Sequence, residues 1–592
     1  MSTQSFSDAV CDWIKELGFT TCFFVPGGNM MPLLNSARTK FECIPVLHEV
    51  SAVIASEYFN ELSNSNERSF VLVTAGPGIT NCITGIAGAW LENRSVIVIG
   101  GQAKTSDLSH GRVRQIGHQE IDGIALTKSI TKTARRIESP ISKVEFQELV
   151  ASSWSFKPGP VFLEICLDTS QKEVELDNSI CEPAILIPRN IDSPEAELIE
   201  SELRKSQRPL LLIGGGLSRA ASSMYLERLK LLSVPIATTF NGADRIDYAY
   251  KYYCGRPNWY GMRWANTLIQ QADLIIALGT RLGIQQVGFN WTEFAPNGKL
   301  IHIDGDKSEL QKIFPRRHQA LDVDAESVLA ELCPALEKKG LQIENWLRHI
   351  EVVRELLDNP EPQFNQSKGE YIELQSFLYS LSDLTQEGDL IIPCSSGGTF
   401  TGMMQMYRQK TNQKIVTNKS LASMGYGLAG AIGASFSSRA KRVFLVEGDG
   451  GFSQNLQELG VVRAHNLNIK IFIMNNEGYG TIKNSQRRSF NGNFLGCNAE
   501  TGLWLPNWLE IAKSFGLPHF LLSKINFDPE KVTNLLAHTG PQIIEVQLDP
   551  DQDYFPKLLS MKDNDNMVVS MPLHEMHPKL ADDLWAKVYK WK

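Results

Sequence analysis

A chain of 592 residues is too long for a single hydrophobic core, and this length predicts three or four domains. A hydrophobic content of 43% and a charged content of 21% are ordinary for a globular protein. The net charge of -8 and the lack of any dense lysine and arginine run argue against nucleic acid as a partner.

The N-terminal stretch SFSDAVCDWIKELGF predicts an amphipathic helix with acidic residues rather than a signal peptide. No run of about 18 apolar residues occurs, so we expect no membrane-spanning helix. The ten cysteines are scattered and none forms a CxxC pair, which argues against a zinc ribbon and favours a reducing compartment. These features predict a cytoplasmic protein.

Strand-like apolar runs alternate with helical runs along the chain: FTTCFFV, FECIPVL, SFVLVTA, SVIVIGG and PVFLEIC. Such alternation is typical of α/β layers with parallel sheets. Segments rich in proline and polar residues, at 174–196 and 358–369, predict linkers. We therefore predict three doubly wound parallel-sheet α/β domains, at 1–185, 190–355 and 365–560, followed by a C-terminal tail at 561–592.

Polar residues follow two buried runs of the third domain. Asp449 lies in a Gly-Asp-Gly turn directly after VFLV, and Asn476 follows IKIFIM 27 residues later, with a predicted helix at 454–465 between the runs. In an open parallel sheet both residues would face the crevice at the carboxyl edge. Their oxygen atoms suit Mg²⁺, and Gly450 and Gly451 would let backbone amides approach phosphate. The pattern predicts a magnesium–diphosphate site.

This GDG…NN spacing resembles the signature of thiamine-diphosphate (ThDP) enzymes. The resemblance implies that the side chains of Asp449 and Asn476 and the carbonyl of Gly478 bind the metal. It also implies that the loop PCSSGGTFTG holds the diphosphate through three residues, which are Gly397, Gly398 and Thr399.

The segment LASMGYGLAGAIGA begins a helix of small residues, and close helix packing alone explains such a composition. In ThDP enzymes the hydrophobic residue of this motif wedges beneath the cofactor. The resemblance implies that Met424 has this role and that the Ala422 carbonyl accepts a hydrogen bond from the aminopyrimidine.

Glu49, in CIPVLHEVSAVIASEYF, follows an apolar run and begins a predicted helix, where an acid is typical of a helix N-terminus. ThDP enzymes carry their catalytic glutamate in this arrangement, so the resemblance implies that Glu49 activates the cofactor. Because the family takes this glutamate and the diphosphate site from two different subunits, we expect a homodimer or a homotetramer with active sites at the subunit interface.

Motifs along nearly the whole chain resemble acetolactate synthase catalytic subunits. The segments FFVPGGNMMPLLNSA and TAGPGITNCITGIAGAWLENRSVIVIGGQ supply further cofactor-binding candidates, which are Pro26, Gly27, Gly28 and Asn81. In HQEIDGIALTKSITK, Gln119 would position the substrate carbonyl. Lys132 matches a lysine near that pocket, although a surface charge is an equal interpretation.

The central domain resembles the part of acetolactate synthases that holds a structural FAD, through PLLLIGGGLS, ADLIIALGTRLGIQQVG and KLIHIDGD. A lone glycine-rich turn is weak evidence for a nucleotide. Relatives keep this domain with FAD, with another nucleotide or with no ligand, and all three alternatives stay open. The matching positions are Gly214, Gly215, Arg281, Asp304 and Asp306.

One departure concerns the acceptor substrate. Acetolactate synthases have a tryptophan after the Asn-Asn turn, followed three residues later by an arginine; here Ser485 takes the first position and Arg488 the second. A serine leaves a larger and more polar pocket, which favours a bulky acceptor such as a keto-sugar nucleotide.

The sequence thus predicts a ThDP- and Mg²⁺-dependent carboligase that decarboxylates a 2-oxo acid, with pyruvate the expected donor. It would transfer the acyl carbanion to a 2-oxo acid or a keto-sugar. The alternatives are a 2-oxo acid decarboxylase, with His48 or His118 as proton donors, and a cyclic diketone hydrolase. A non-enzymatic nucleotide-binding relative is disfavoured because Glu49, Asp449 and Asn476 are all present.

Overall fold

The computed structural model describes residues 3–63, 67–177, 185–439, 441–562 and 568–591. It contains three parallel sheets of six, five and six strands, which confirms the predicted α/β class. Within the described residues, no helix is long and apolar enough to cross a membrane.

The first sheet has the strand order β3-β2-β4-β5-β7-β6, and all of its pairs are parallel. The strands of this part of the chain are β1 (Thr3–Ser5), β2 (Phe19–Phe24), β3 (Glu42–Pro45), β4 (Arg68–Val73), β5 (Ile97–Gln102), β6 (Thr133–Ile137), β7 (Val161–Cys166) and β8 (Glu173–Glu175). Strands β1 and β8 pair with each other in a separate two-stranded antiparallel sheet. The helices are α1 (Phe6–Glu16), α2 (Met31–Ala37), α3 (Glu49–Leu62), α4 (Pro77–Thr80), α5 (Ile83–Leu91), α6 (Gly123–Thr127), α7 (Lys143–Ala151) and α8 (Leu167–Ser170). Helix α1 confirms the predicted N-terminal helix and buries its apolar face.

The second sheet has the order β10-β9-β11-β12-β13 and is also parallel. Its strands are β9 (Pro209–Ile213), β10 (Ile236–Thr238), β11 (Leu274–Leu278), β12 (Lys299–Ile303) and β13 (Arg317–Leu321). The helices here are α9 (Ser193–Lys205), α10 (Arg219–Ala221), α11 (Glu227–Leu231), α12 (Arg263–Gln271), α13 (Ile284–Val287), α14 (Ala325–Lys338) and α15 (Glu344–Leu357).

The third sheet has the order β15-β14-β16-β17-β19-β18. Its strands are β14 (Leu390–Ile392), β15 (Lys414–Ile415), β16 (Val443–Gly448), β17 (Ile469–Asn475), β18 (His519–Leu522) and β19 (Gln542–Gln547). The helices are α16 (Leu374–Leu384), α17 (Gly397–Met406), α18 (Tyr426–Ser437), α19 (Asp449–Phe452), α20 (Leu459–Ala464), α21 (Gly480–Ser489), α22 (Trp508–Ser514) and α23 (Pro529–Ala537). The C-terminal elements are β20 (Ser560–Lys562), β21 (Val568–Ser570) and α24 (Asp582–Val588), and α24 packs on α15.

The first and third sheets share one topology. In each, the chain reverses its direction of travel across the sheet between two neighbouring strands, β2 and β4 in one and β14 and β16 in the other. In each sheet, the loops after the two strands therefore open into a crevice at the carboxyl edge, which is where open α/β sheets bind ligands.

The helix predicted at 454–465 begins later than expected. A 3₁₀ turn occupies Leu456–Glu458, and regular helix runs only from Leu459 to Ala464. The Asn455 side chain instead donates to the Gly425 carbonyl at 2.8 Å, which fixes that residue outside the helix.

The first and third domains of the chain meet through helices α3 and α18. A methyl group placed on Gly433 would come 2.0 Å from the Ala55 carbonyl oxygen, and one on Gly430 would meet the Tyr58 ring at 2.7 Å. The small residues of α18 therefore do serve close helix packing.

Candidate active site

Asp449 lies directly after β16 and is only 1% exposed. Its Oδ1 accepts a hydrogen bond from the N–H of Gly450 at 2.7 Å, and its Oδ2 accepts from the N–H groups of Asn476 and Gly478 at 3.1 Å. Burial raises the pKa of this carboxyl to about 7, although these N–H groups oppose that rise. A divalent cation would restore the ionised form.

Asn476 follows β17 and places its side-chain oxygen among oxygens. Oδ1 lies 2.8 Å from the Gly478 carbonyl oxygen and 3.3 Å from Asp449 Oδ1, while Nδ2 donates to the Tyr554 hydroxyl at 3.0 Å. Three acceptors that converge without a hydrogen between them repel one another, and a cation relieves that repulsion. The orientation rotated by 180° would instead turn the amide nitrogen towards both oxygens as a donor, which suits the site when no cation is bound.

The predicted diphosphate loop forms the N-terminus of α17, whose first three residues are Gly397, Gly398 and Thr399. Gly397 has φ +81°, which a side chain would strain. The unpaired N–H groups of a helix N-terminus attract phosphate. By contrast, Gly450 directs its N–H at Asp449, and α19, which contains Gly450 and Gly451, is a single turn of four residues.

Ala422 and Met424 lie between β15 and α18, on the approach to the diphosphate loop. Ala422 has φ +55°, a left-handed conformation that is uncommon for a residue with a side chain. Met424 is 38% exposed, which leaves an apolar side chain free to contact a ligand. The loop is tied down because the Ser395 hydroxyl donates to the Ser423 carbonyl.

Glu49 is the first residue of α3 and is 8% exposed. Asn81, at the end of α4, donates from Nδ2 to Glu49 Oε2 at 2.9 Å. Two of the predicted site residues are thus in direct contact, at the carboxyl edge of the first sheet.

The loop that contains Pro26, Gly27 and Gly28 follows β2 and packs against the residue after β4. A methyl group on Gly27 would lie 2.4 Å from Thr74 Cβ, so only glycine allows this approach. Gln119 has φ +58°, and its carbonyl oxygen lies 2.8 Å from where a Cβ on Gly76 would be. These residues therefore meet at the β2/β4 crevice with Glu49.

Strained backbone marks the same loops. Fourteen of the described residues other than glycine have positive φ, and four of them, which are Gln119, Cys394, Ala422 and Glu477, lie in or next to a segment of the predicted ThDP site. Such conformations cost about 1–3 kcal/mol each and persist where the surroundings over-determine them, often at functional sites.

The two halves of the predicted site make no direct polar contact among the described residues of one chain. Among the described residues, no hydrogen bond or ion pair joins Glu49 to Asp449 or Asn476. Leu47, two residues before the glutamate, instead directs its N–H at Glu458 of the third domain, 3.2 Å from both carboxylate oxygens.

Comparison with known proteins gives three family matches, to the thiamine pyrophosphate enzyme N-terminal TPP binding domain at residues 4–126, to the central domain at 197–332 and to the C-terminal TPP binding domain at 396–546. The chain belongs to the thiamine pyrophosphate enzymes. Thiamine pyrophosphate and ThDP are the same cofactor, and the matched N-terminal and C-terminal domains are the two that are named for binding it.

Curated relatives agree with this assignment to the ThDP enzymes. "Acetolactate synthase isozyme 2 large subunit" of Escherichia coli (strain K12) is 28% identical over 565 residues, covering 94% of this chain and 97% of that protein. "Acetolactate synthase large subunit" of Lactococcus lactis is 27% identical, covering 95% and 96%. "Acetolactate synthase 1, chloroplastic" of Zea mays is 28% identical, covering 94% and 87%. The chain is a ThDP-dependent carboligase of the transferase type, similar to acetolactate synthases.

The central domain of this ThDP enzyme borders a cavity of about 1040 Å³, with walls from all three domains. Gly215, Arg281, Asp304 and Asp306 line it; Gly214 does not, because it packs against the Gly279 carbonyl. Burial raises the pKa of Asp304 to about 6.

The remaining candidates have simpler surroundings. Lys132 donates to the Phe156 carbonyl at 2.9 Å, which makes it a loop-fixing residue rather than a free surface charge. Ser485 and Arg488 lie three residues apart on α21, on one face of that helix, and Arg488 is exposed.

Sequence patterns missed Tyr554, whose hydroxyl contacts Asn476. No motif marks it, and it lies 78 residues beyond its partner. Only the topology of the third sheet, which places the end of β19 beside β17, could have suggested it.

Proposed function

We propose that this ThDP enzyme requires Mg²⁺, takes pyruvate as donor, and transfers the acyl group to a carbonyl acceptor. The observation that carries the proposal is the convergence of the Asn476 side-chain amide with Asp449 Oδ1 and the Gly478 carbonyl, which lie 3.3 and 2.8 Å from one atom of that amide. A single carboxylate with two neutral oxygens suits Mg²⁺, which completes its shell with phosphate and water.

In this proposal, Asp449, Asn476 and Gly478 hold the cation, and the N-terminus of α17 holds the diphosphate. When bound, ThDP supplies an electron sink that lets a 2-oxo acid lose carbon dioxide and its acyl carbon act as a nucleophile. Ala422 and Met424 orient the cofactor on the third-domain side.

Glu49 exchanges a proton with the aminopyrimidine, and Asn81 orients its carboxylate through the 2.9 Å hydrogen bond. Gln119 positions the substrate carbonyl. The low exposure of Glu49 supports this role, because a carboxyl group that is shielded from water exchanges its proton with the reacting partner rather than with solvent.

We further propose a homodimer or homotetramer in which Glu49 of one subunit faces the cation site of its partner. Large apolar side chains are exposed in the loops and helices near both half-sites, which supports a covered surface; they are Met31, Leu47, Ile482, Phe490, Leu495 and Trp504. The free state of all nine described cysteines supports a reducing, cytoplasmic location. The domain boundaries at 1–185, 190–355, 365–560 and 561–592 belong to the same proposal.

The cavity beside the central sheet is our proposed FAD site. Its volume is sufficient for a dinucleotide. Arg281 and Lys419 line it and form no ion pair among the described residues, so both are available to bind a diphosphate. The flavin absorbance of the purified protein, and the identity of the nucleotide released on denaturation, distinguish FAD from another nucleotide or none.

The acceptor is either a second 2-oxo acid or a keto-sugar. Ser485 and the exposed Arg488 on one face of α21 favour a larger, anionic acceptor. Incubation with pyruvate, ThDP and Mg²⁺, with carbon dioxide and acetolactate quantified together, tests this. Equal amounts mean pyruvate is also the acceptor. Carbon dioxide with little acetolactate favours a keto-sugar as the acceptor. Acetaldehyde among the products would instead indicate simple decarboxylation. No turnover contradicts pyruvate as donor.

A further inference from the structure

Tyr554 lies in the segment that follows β19 and is 9% exposed. Its hydroxyl accepts a hydrogen bond from Asn476 Nδ2 at 3.0 Å. Its ring lies against the diphosphate loop, because a methyl group on Gly398 would come 2.7 Å from Cε2 of the tyrosine. One side chain therefore contacts both the proposed cation site and the proposed phosphate loop.

The segment around Tyr554 is fixed by hydrogen bonds to other elements. Gln552 Nε2 donates to Glu373 Oε1 at 2.5 Å, and the Gln552 carbonyl accepts from Asn484 Nδ2 at 3.0 Å. The N–H of Phe555 donates to Asn365 Oδ1 at 3.1 Å. Tyr554 is therefore held in place independently of its contact with Asn476.

The Asn476 amide has two orientations related by a 180° rotation. In one, Oδ1 faces Asp449 and Gly478 and Nδ2 donates to Tyr554. In the other, the nitrogen would donate to those two oxygens, at 3.3 and 2.8 Å, and the oxygen would accept from the Tyr554 hydroxyl at 3.0 Å. A hydroxyl both donates and accepts, so Tyr554 can serve either orientation.

We infer that Tyr554 is a positioning residue that holds the Asn476 amide with its oxygen towards the divalent cation. This inference rests on the proposed cation site. Cation binding at Oδ1 draws electron density from the amide and makes Nδ2–H a stronger donor, so its bond to the tyrosine becomes partly charge-assisted. The tyrosine thus stabilises the cation-bound orientation more than the rotated one.

The test is the Mg²⁺ dependence of ThDP binding by the full-length protein, followed by quenching of tryptophan fluorescence. For Tyr554→Phe we expect the Mg²⁺ concentration at half-saturation to rise about tenfold, at the lower end of the range for changes in residues that orient a metal ligand. At saturating Mg²⁺ we expect kcat to stay within about twofold of the wild type, because the reacting groups are unchanged.

The matched control is Tyr407→Phe, which removes another buried tyrosine hydroxyl from the same domain. That hydroxyl lies 2.9 Å from Thr385 Oγ1 and donates to Gln413 Oε1 at 2.9 Å. The control should leave the Mg²⁺ requirement unchanged even if its melting temperature falls.

Three outcomes overturn the inference. If the Mg²⁺ titrations of Tyr554→Phe and the wild type coincide, Tyr554 has no positioning role while the cation site stands. If wild-type ThDP binding needs no divalent cation, the proposed cation site fails and the inference with it. Loss of kcat that excess Mg²⁺ does not restore would likewise assign Tyr554 a merely structural role.

Discussion

Asn81 Nδ2 donates a hydrogen bond to Glu49 Oε2 at 2.9 Å, which joins the end of a short helix after β4 to the first residue of α3. The two residues lie 32 positions apart and meet because β3 and β4, the strands that precede them, both flank β2 in the first sheet. The carboxylate is therefore oriented before any ligand arrives.

Replacement of Glu49 by glutamine should lower turnover of pyruvate by about 10²–10⁴-fold, because the proton exchange with the cofactor is lost. Asn81→Ala should lower it less, since the carboxylate remains but is no longer oriented. Steady-state rates measured beside ThDP binding check both. Glu42→Gln, an exposed residue of the same domain, is the control, and an unimpaired Glu49→Gln protein would refute the role of Glu49.

Mixing two inactive variants should restore activity if the site spans two subunits. In a dimer of one Glu49→Gln and one Asp449→Ala chain, one of the two sites has both residues intact. Random exchange after mild unfolding and refolding should recover about a quarter of wild-type activity, because half the dimers are mixed. Each variant refolded alone is the control, and activity that stays at their level would place both residues in one chain's site.

A methyl group at Gly214 should destabilise the central domain. It would come 2.0 Å from the Gly279 carbonyl oxygen, a backbone atom that cannot move aside cheaply. We expect Gly214→Ala to cost about 1–3 kcal/mol in the free energy of unfolding and, if the proposed FAD is bound, to lower its content.

The control for Gly214→Ala is Gly283→Ala, in a neighbouring loop of the same cavity. Among the described residues, no atom lies within 4 Å of its added methyl, so the change should stay within about 0.5 kcal/mol. Urea denaturation and bound flavin measure both effects, and equal stability of the two variants would contradict the close approach.

Acid should destabilise the central domain through buried histidines. Burial lowers the pKa of His302 and of His349 to about 4, below the value of about 6.5 in the unfolded chain. Between these values the unfolded state binds more protons, so stability falls as the pH falls from about 6.5 to about 4.

His349 lies against Trp346 and Trp591, with ring centroids 5.8 and 4.7 Å away. Between pH 7.5 and pH 5, the free energy of unfolding of His349→Phe should fall by about 2 kcal/mol less than that of the wild type. Urea midpoints at both pH values give the measurement, with His318→Phe at a half-exposed site as control. An unchanged pH dependence would show that His349 does not resist protonation.

Much of the site could be predicted because parallel strands bring their carboxyl ends to one edge. Asp449 and Asn476 were predictable from two apolar runs and the polar residues after them, and the structure does bring them together. Contacts between distant segments without a motif could not be predicted, and Tyr554 is the main example.

Local detail was less predictable than topology. The apolar pattern at 454–465 indicates one helix, yet Asn455 bonds to the Gly425 carbonyl and the helix begins only at Leu459. Gly450 suits a phosphate loop by composition, but the buried Asp449 carboxylate takes its N–H. In both cases a tertiary hydrogen bond overrides the local preference.

At the contact between α3 and α18, where Gly433 approaches the Ala55 carbonyl, the backbones of the first and third domains of a chain are closely packed. Close-packed backbones of this kind slide or hinge poorly, since any shift opens voids or overlaps atoms. Substrate entry and product release must therefore depend on rearrangement of the loops around the site. Changes in reaction rate with temperature or viscosity should reflect those segments rather than rotation of whole domains.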